Sequence, residues 1–148
     1  MKKLILLRHG DAAATTLNKE PILTEKGIEQ IEKVRDQLIH LDLLPKKILC
    51  SPLLRAQQTA QIIQSVAHAD FVFEKALADQ DVSHVAALIE NDPATPLLIV
   101  GHAPSIYLLA EHLTIQPLPN QGVKKGGGFL LEFEHDFYSN GDLKAKIQ

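Results

Sequence analysis

The chain has 148 residues, 45% hydrophobic and 22% charged, with a formal charge of −3; this length suits one domain, residues 1–148, that buries about two thirds of its surface on folding. The near-average composition excludes disorder, coiled coil and collagen, and the single cysteine excludes an internal disulfide framework or a cysteine-rich metal knot. Eighteen acids against fifteen bases leave no basic field for a polyanion, so nucleic acid is not an expected partner.

Two lysines precede an apolar run over residues 4–7 that stops at Arg8. Four residues are too few for a secretory core or a membrane span, so the run reads as a buried strand. No other stretch approaches spanning length; a cytoplasmic protein without membrane contact is expected. Thr24 is an N-cap candidate with Glu25 in the first turn, and Ile28, Ile31, Val34, Leu38 and Leu41 recur at helical spacing before Pro45. Ile48-Leu49-Cys50 is a second strand. Ser51-Pro52 then reads as an N-cap with proline at the first helical position, Leu53, Ala56, Ala60 and Ile63 facing inward.

Phe71-Val72-Phe73 makes a third strand, and residues 82–89 a third helix that ends before Asn91-Asp92-Pro93. Leu97-Leu98-Ile99-Val100 is a fourth strand, continuously apolar. Pro104 opens a fourth helix with Ile106, Leu109, Ala110 and Leu113 inward. Residues 116–122 form a loop by their turn residues, and Phe129 to Phe133 a last strand after three glycines. Alternating strands and helices predict an α/β fold, a three-layer α/β/α sandwich around a mostly parallel sheet. Ligands of such sheets bind beyond the carboxyl ends of the strands.

Three of those ends carry Arg8-His9-Gly10, Ser51 to Arg55, and Gly101-His102. The chain holds three arginines against twelve lysines, yet two of the three stand here. Arginine offers several fixed donors to a tetrahedral anion. Arg55 also falls in the first turn of its helix, where the macrodipole disfavours a cation and a bound anion would remove the conflict. Taken alone, Arg55 reads as a solvated surface residue; with Arg8, His9 and His102 it points to an anion pocket. Gly10 lets a ligand approach the backbone closely. His40, His68, His84, His112 and His135 read as ordinary packed or surface residues, no zinc spacing occurs, and no metal or cofactor is expected.

Leu7-Arg8-His9-Gly10-Asp11-Ala12, Leu23-Thr24-x-x-Gly27, Ser51-Pro52-Leu53-x-Arg55-Ala56-x-Gln58-Thr59-Ala60 and Val100-Gly101-His102-x-Pro104 together resemble the histidine phosphatase superfamily. Among its branches the small SixA-type phosphohistidine phosphatases are most similar. The four motifs run in order over residues 4–113, most of the chain. The resemblance implies that His9 is the nucleophile that takes the phosphoryl group, and that Arg8, Arg55 and His102 line the phosphate pocket and stabilise the transferring oxygens. Phosphoryl transfer asks little more of a protein than positioning and electrostatics, so this set suffices without a metal. Two neighbouring guanidinium groups also favour the neutral imidazole that a nucleophile needs.

Larger members of the superfamily carry a carboxylate acid in an insertion after the third strand. Here that segment is short, residues 74–81, and small members typically lack a clear acid there. Asp79 resembles the acid position of the mutase branch and is the candidate general acid; read as a plain residue, it is equally an acid ahead of the helix that starts at Val82. Ala103 replaces the asparagine common after the second histidine, which leaves helix capping to other groups. Lys124 and Lys125 either add positive charge at the mouth or belong to a solvated loop.

With no large cap subdomain the pocket is expected to be open, admitting a phosphorylated side chain of another protein. The expected function is a metal-independent phosphatase with a covalent phosphohistidine intermediate. Its expected partner is a phosphohistidine-bearing protein domain, and the chain itself is expected to be a monomer. A phosphatase of small phosphate esters and a phosphate-binding regulatory module without turnover are the alternatives.

Overall fold

The computed structural model describes residues 1–17, 19–115, 118, 122–134 and 141–147. Its strands and helices are β1 (Lys2–Arg8), β2 (Ala12–Ala13), β3 (Ile22–Leu23), α1 (Glu25–His40), β4 (Lys47–Cys50), α2 (Leu54–Ala67), β5 (Asp70–Phe73), α3 (Lys75–Ala78), α4 (Val82–Glu90), β6 (Leu97–Gly101), α5 (Ser105–Leu113), β7 (Gly128–Phe133) and β8 (Asp142–Ile147). Six strands form one sheet in the order β5-β4-β6-β1-β7-β8. β5, β4, β6 and β1 run parallel, and β7 is antiparallel to both of its neighbours.

The continuous apolar runs have a direct cause. Successive strand residues point to opposite faces, and both faces are covered. Leu4 and Leu6 pack on one side with Leu97, Ile99 and the α4 and α5 residues Val85, Ile89, Ile106 and Leu109. Ile5 and Leu7 pack on the other with Leu98, Val100 and the α1 and α2 residues Ile31, Val34, Ala60 and Ile63. This is the α/β/α sandwich that the alternation predicts. Each fully buried Leu or Ile contributes roughly 1.5–3 kcal/mol, so the two central strands β1 and β6 dominate the core.

Thr24 caps α1 as expected, its side chain accepting from the Gly27 amide. The buried stripe of α1 is narrower than its periodicity suggests: Ile31, Val34 and Leu38 are buried, whereas Ile28 and Leu41 are exposed. Helix α2 starts at Leu54 with Leu53 as N-cap, so Ser51 and Pro52 lie outside it, contrary to expectation. The Ser51 side chain is occupied otherwise, as described below. β8 and the short β2–β3 pairing escape sequence reading. β8 alternates lysines with apolar residues at a sheet edge, where charge is common and burial partial. The predicted loop at 116–122 falls largely outside the described residues, as does His135. Between β5 and β6 only α3 and α4 intervene, with no inserted subdomain. Among the described residues no helix is long and apolar enough to cross a membrane.

Candidate active site

Strand register brings the three chemistry-bearing ends together. Leu7 pairs with Val100, Val100 with Cys50, and Arg8 with Gly101, so β1, β6 and β4 terminate within a residue of one another. The ladder continues one step further, because the His9 amide donates to the Gly101 carbonyl at 3.1 Å and the Ser51 amide to the Val100 carbonyl at 3.0 Å. His9, Ser51 and His102 therefore leave the sheet at the same edge. The His9 and His102 rings lie 5.1 Å apart between centroids.

His9 is 7% exposed and both of its ring nitrogens are engaged. Nδ1 lies 2.8 Å from the Gly10 carbonyl oxygen, which can only accept, so Nδ1 carries the proton. Nε2 then holds a lone pair, and Arg55 Nε donates to it at 3.3 Å. Burial, and then the charges of Arg55, Arg8 and Lys125, lower the His9 pKa to about 4, although the bond to Gly10 works the other way. The imidazole is neutral near pH 7, with the lone pair of Nε2 turned toward a guanidinium.

His102 is 5% exposed and its pKa is likewise lowered to about 4, by burial first and then by His9, Arg55 and Arg8. Its Nε2 meets Ser51 Oγ at 2.7 Å, and its Nδ1 is buried without a hydrogen-bond partner among the described residues. Arg8 donates from Nη1 to the Val123 carbonyl at 2.8 Å, while its Nε is also buried and has no partner among the described residues. Two buried polar nitrogens without partners are costly to a folded chain, of order 1–3 kcal/mol each. Both occur in this one cluster, together with two cationic side chains that meet no carboxylate among the described residues. Such a cluster has the donors and positive charge to receive an oxyanion.

The supporting residues explain why the motifs have their spacing. Thr59, fully buried, donates to the Arg55 carbonyl at 2.8 Å and accepts from the Gly10 amide at 3.1 Å, tying α2 to the turn after β1. Gln58 Oε1 accepts from the Leu23 amide at 2.8 Å and fixes β3 against the same helix. Asp11 accepts from Thr24 Oγ1 at 2.7 Å and from Lys125 at 3.2 Å. Ser51, Thr59 and Gln58 are visible in the motifs, but their roles depend on tertiary contacts that no spacing rule supplies.

Packing alone already demands glycine at position 10. A Cβ there would stand 2.8 Å from the Gly27 carbonyl oxygen and 3.1 Å from Ile31 Cγ1, and the Gly10 amide is already committed to Thr59. In the glycine run, Gly126 has φ +73° and donates to the His9 carbonyl at 2.8 Å, so this run buttresses the end of β1. Lys125 faces the site, its charge shared with Asp11. In place of an asparagine after His102, Gln80 Oε1 caps α5 by accepting from the Ser105 amide at 3.0 Å.

Asp79 ends α3, exposed, and pairs with Lys75 at 3.7 Å; no hydrogen bond joins it to the four residues of the cluster. Asp81 N-caps α4. His40, His68, His84 and His112 are exposed, as expected. Among the described residues no three His, Cys, Asp or Glu converge as metal ligands.

Comparison with known proteins shows the family. The model of the histidine phosphatase superfamily (branch 1) matches residues 4–92, more than half of the chain, and the chain belongs to that superfamily. It is 34% identical over 102 residues to the mitochondrial serine/threonine-protein phosphatase Pgam5 of Drosophila pseudoobscura pseudoobscura, a match covering 68% of this chain. The match spans about a third, 32%, of that relative's length. The fold is similar to the protein histidine phosphatase SixA complexed with tungstate, with TM-score 0.79 and 20% identity over 98% of this chain and 96% of that one. It is also similar to the alpha-ribazole phosphatase from Shigella flexneri, with TM-score 0.76 and 21% identity over 99% and 96%. At these identities the two structures establish the fold alone.

Proposed function

We propose that the chain is a phosphatase that works through a covalent phosphohistidine at His9, and that its preferred substrate is phosphohistidine on another protein. The observation that carries this reading is the state of the His9 ring: Nδ1–H is held by the Gly10 carbonyl and the Nε2 lone pair points at Arg55. A phosphoryl group seated against Arg55 lies in the path of that lone pair. Nε2 attacks phosphorus and forms the N–P bond, while the bond to the leaving group breaks and its electron pair departs with that group. Arg8, Arg55 and the His102 ring stabilise the charge on the transferring oxygens. Water then attacks phosphorus, the bond to His9 breaks, and inorganic phosphate leaves with the imidazole neutral again.

The leaving group decides the substrate class. A sugar alkoxide is strongly basic and needs a general acid, whereas a phosphohistidine ring protonated on its second nitrogen departs as neutral imidazole, whose conjugate acid has a pKa near 6.5. No carboxylate among the described residues is hydrogen-bonded to the cluster, which favours the phosphohistidine substrate. The short segment between β5 and β6 also suits a protein-borne side chain. The likeness to the alpha-ribazole phosphatase keeps a small phosphate ester as the second reading.

Brief exposure to a labelled phosphodonor should trap an acid-labile label on His9 that is absent from His9→Ala. Turnover of a phosphohistidine protein should exceed that of sugar phosphates. A label on another residue refutes the mechanism, and faster ester turnover refutes the substrate.

A further inference from the structure

Ser51 is fully buried, and its hydroxyl has two neighbours with hydrogen-bonding nitrogen. The Leu53 amide donates to Oγ at 3.2 Å, which uses one oxygen lone pair. His102 Nε2 lies 2.7 Å from the same oxygen. Either the hydroxyl donates to a bare Nε2, or a protonated Nε2 donates to the hydroxyl, and the two arrangements give His102 opposite tautomers.

Hydrogen-bond bookkeeping separates them. The 2.7 Å contact lies within the range of either donor, so the partners left over decide between them. If Nε2–H were the donor, the hydrogen of the fully buried serine would have no acceptor among the described residues. His102 Nδ1 would then carry a bare lone pair in a cluster whose other groups, the His9 Nε2 lone pair apart, are cations and donors, and an incoming phosphoryl oxygen would be repelled there. Donation by Ser51 removes both conflicts: the hydroxyl is satisfied and the buried, unpartnered Nδ1 becomes an N–H donor.

We infer that Ser51 is a positioning residue whose hydroxyl, donating to His102 Nε2, holds His102 as the neutral Nδ1–H tautomer that donates to the transferring phosphoryl group. The inference rests on the proposed reaction for the role of His102, and on the serine contact alone for its tautomer. It also accounts for serine at the end of β4, a position where a cap was expected. The side chain can reach His102 because the β4–β6 ladder ends at the Cys50–Val100 pair, one residue before Ser51 and two before His102.

Two-bond proton–nitrogen correlation spectra of the full chain with labelled histidine, with His102→Gln for assignment, read the tautomer in resting enzyme without substrate. His102 should carry its proton on Nδ1 and a bare lone pair on Nε2 at pH 7.5. Ser51→Ala should move the proton toward Nε2 and lower kcat on an aryl phosphate about 10–100-fold with a smaller change in KM, the range seen when the partner that orients a functional histidine is removed. Ser51→Thr, which keeps the hydroxyl, should restore the Nδ1–H signature and most of the rate. A protonated Nε2 in the unsubstituted enzyme overturns the inference, even if Ser51→Ala fails to fold. So does Ser51→Ala with tautomer and rate unchanged. A failure to label His9 counts against the proposed reaction and leaves the tautomer measurement standing.

Discussion

At the N-terminal ends of the sheet strands, Lys47 of β4 meets the Asp92 carboxylate at 2.7 Å, and Lys2 of β1 donates to the Asp92 carbonyl at 3.2 Å. At the C-terminal end of β1 and the start of α2 after β4, Arg8 and Arg55 find no carboxylate among the described residues, and two buried nitrogens have no partner. The same sheet thus ends in closed electrostatics on one edge and open electrostatics on the other. Closure serves folding, since a paired and hydrogen-bonded ion needs nothing further. Openness opposes folding, and makes sense where a ligand supplies the missing negative charge. Substitutions at the two edges should accordingly act on different observables.

His9→Ala should give the largest effect. Removing the nucleophile is expected to cut turnover at least about 10⁴-fold while leaving the fold intact, since the ring's bonds to Gly10 and Arg55 involve no core packing. Steady-state rates on an aryl phosphate, with circular dichroism as the fold control, decide it; activity within tenfold of the unsubstituted enzyme breaks the mechanism. Arg55→Ala comes next, with a loss of about 10²–10³-fold, the scale for one preorganised donor to a transition-state oxyanion. Removal of this unpaired cation should not lower the melting temperature, and an unfolding scan of the same variant checks that.

The histidines should report the open edge through pH. Both have folded pKa values of about 4 against 6.5 unfolded. Between those values the unfolded chain binds more protons, one for each imidazole, so stability is full above pH 6.5 and falls as pH drops toward 4. Nuclear magnetic resonance titration should find both rings neutral down to about pH 4. In Arg55→Ala the His9 pKa should rise, yet remain below 6.5, because burial is the largest cause of its depression and that burial persists. A His9 that titrates near 6.5 in the unsubstituted protein would refute the closed, desolvated picture of the ring.

The opposite edge should respond in stability alone. Asp92→Asn removes the charge that Lys47 meets, and the Asp92 side chain is only 7% exposed. A loss of about 1–3 kcal/mol is expected, or roughly 3–10 °C in melting temperature, with kcat unchanged. A marked fall in kcat would mean that the two edges are coupled.

These contrasts were unequally legible in the sequence. Continuous apolar runs at 4–7 and 97–100 revealed two-sided strands, because a strand covered on both faces has no polar positions to interrupt it. Arg8, His9, Arg55 and His102 stood out because scarce arginines and two histidines fell at strand ends, which a parallel sheet gathers on one edge. Ser51 was misread as a helix cap. Serine before proline fits an N-cap locally, and only the alignment of β4 with β6 turns its hydroxyl to His102. The packing demand on Gly10 was not legible, since the Gly27 backbone that a Cβ would meet belongs to a helix distant in the chain. Asp92, one residue before a proline, carried no sign of its partner 45 positions earlier.

The smallest effect is expected at Asp79, and it bears on substrate choice. Its carboxylate is exposed and lies 3.7 Å from Lys75 on the same short helix, an arrangement of two solvated charges with little energetic consequence. An acid that protonates a leaving group must come within hydrogen-bond reach of it, directly or through one water. With a phosphohistidine substrate no such acid is required, because the second ring nitrogen of the leaving imidazole takes its proton from solvent. Asp79→Asn should therefore change turnover of a phosphohistidine protein by less than about twofold. Sugar phosphates provide the sharper half of the test. If the chain hydrolyses them faster than the phosphohistidine protein and Asp79→Asn abolishes that activity, α3 must bring the carboxylate into the site with substrate bound, and the ester reading replaces the one proposed.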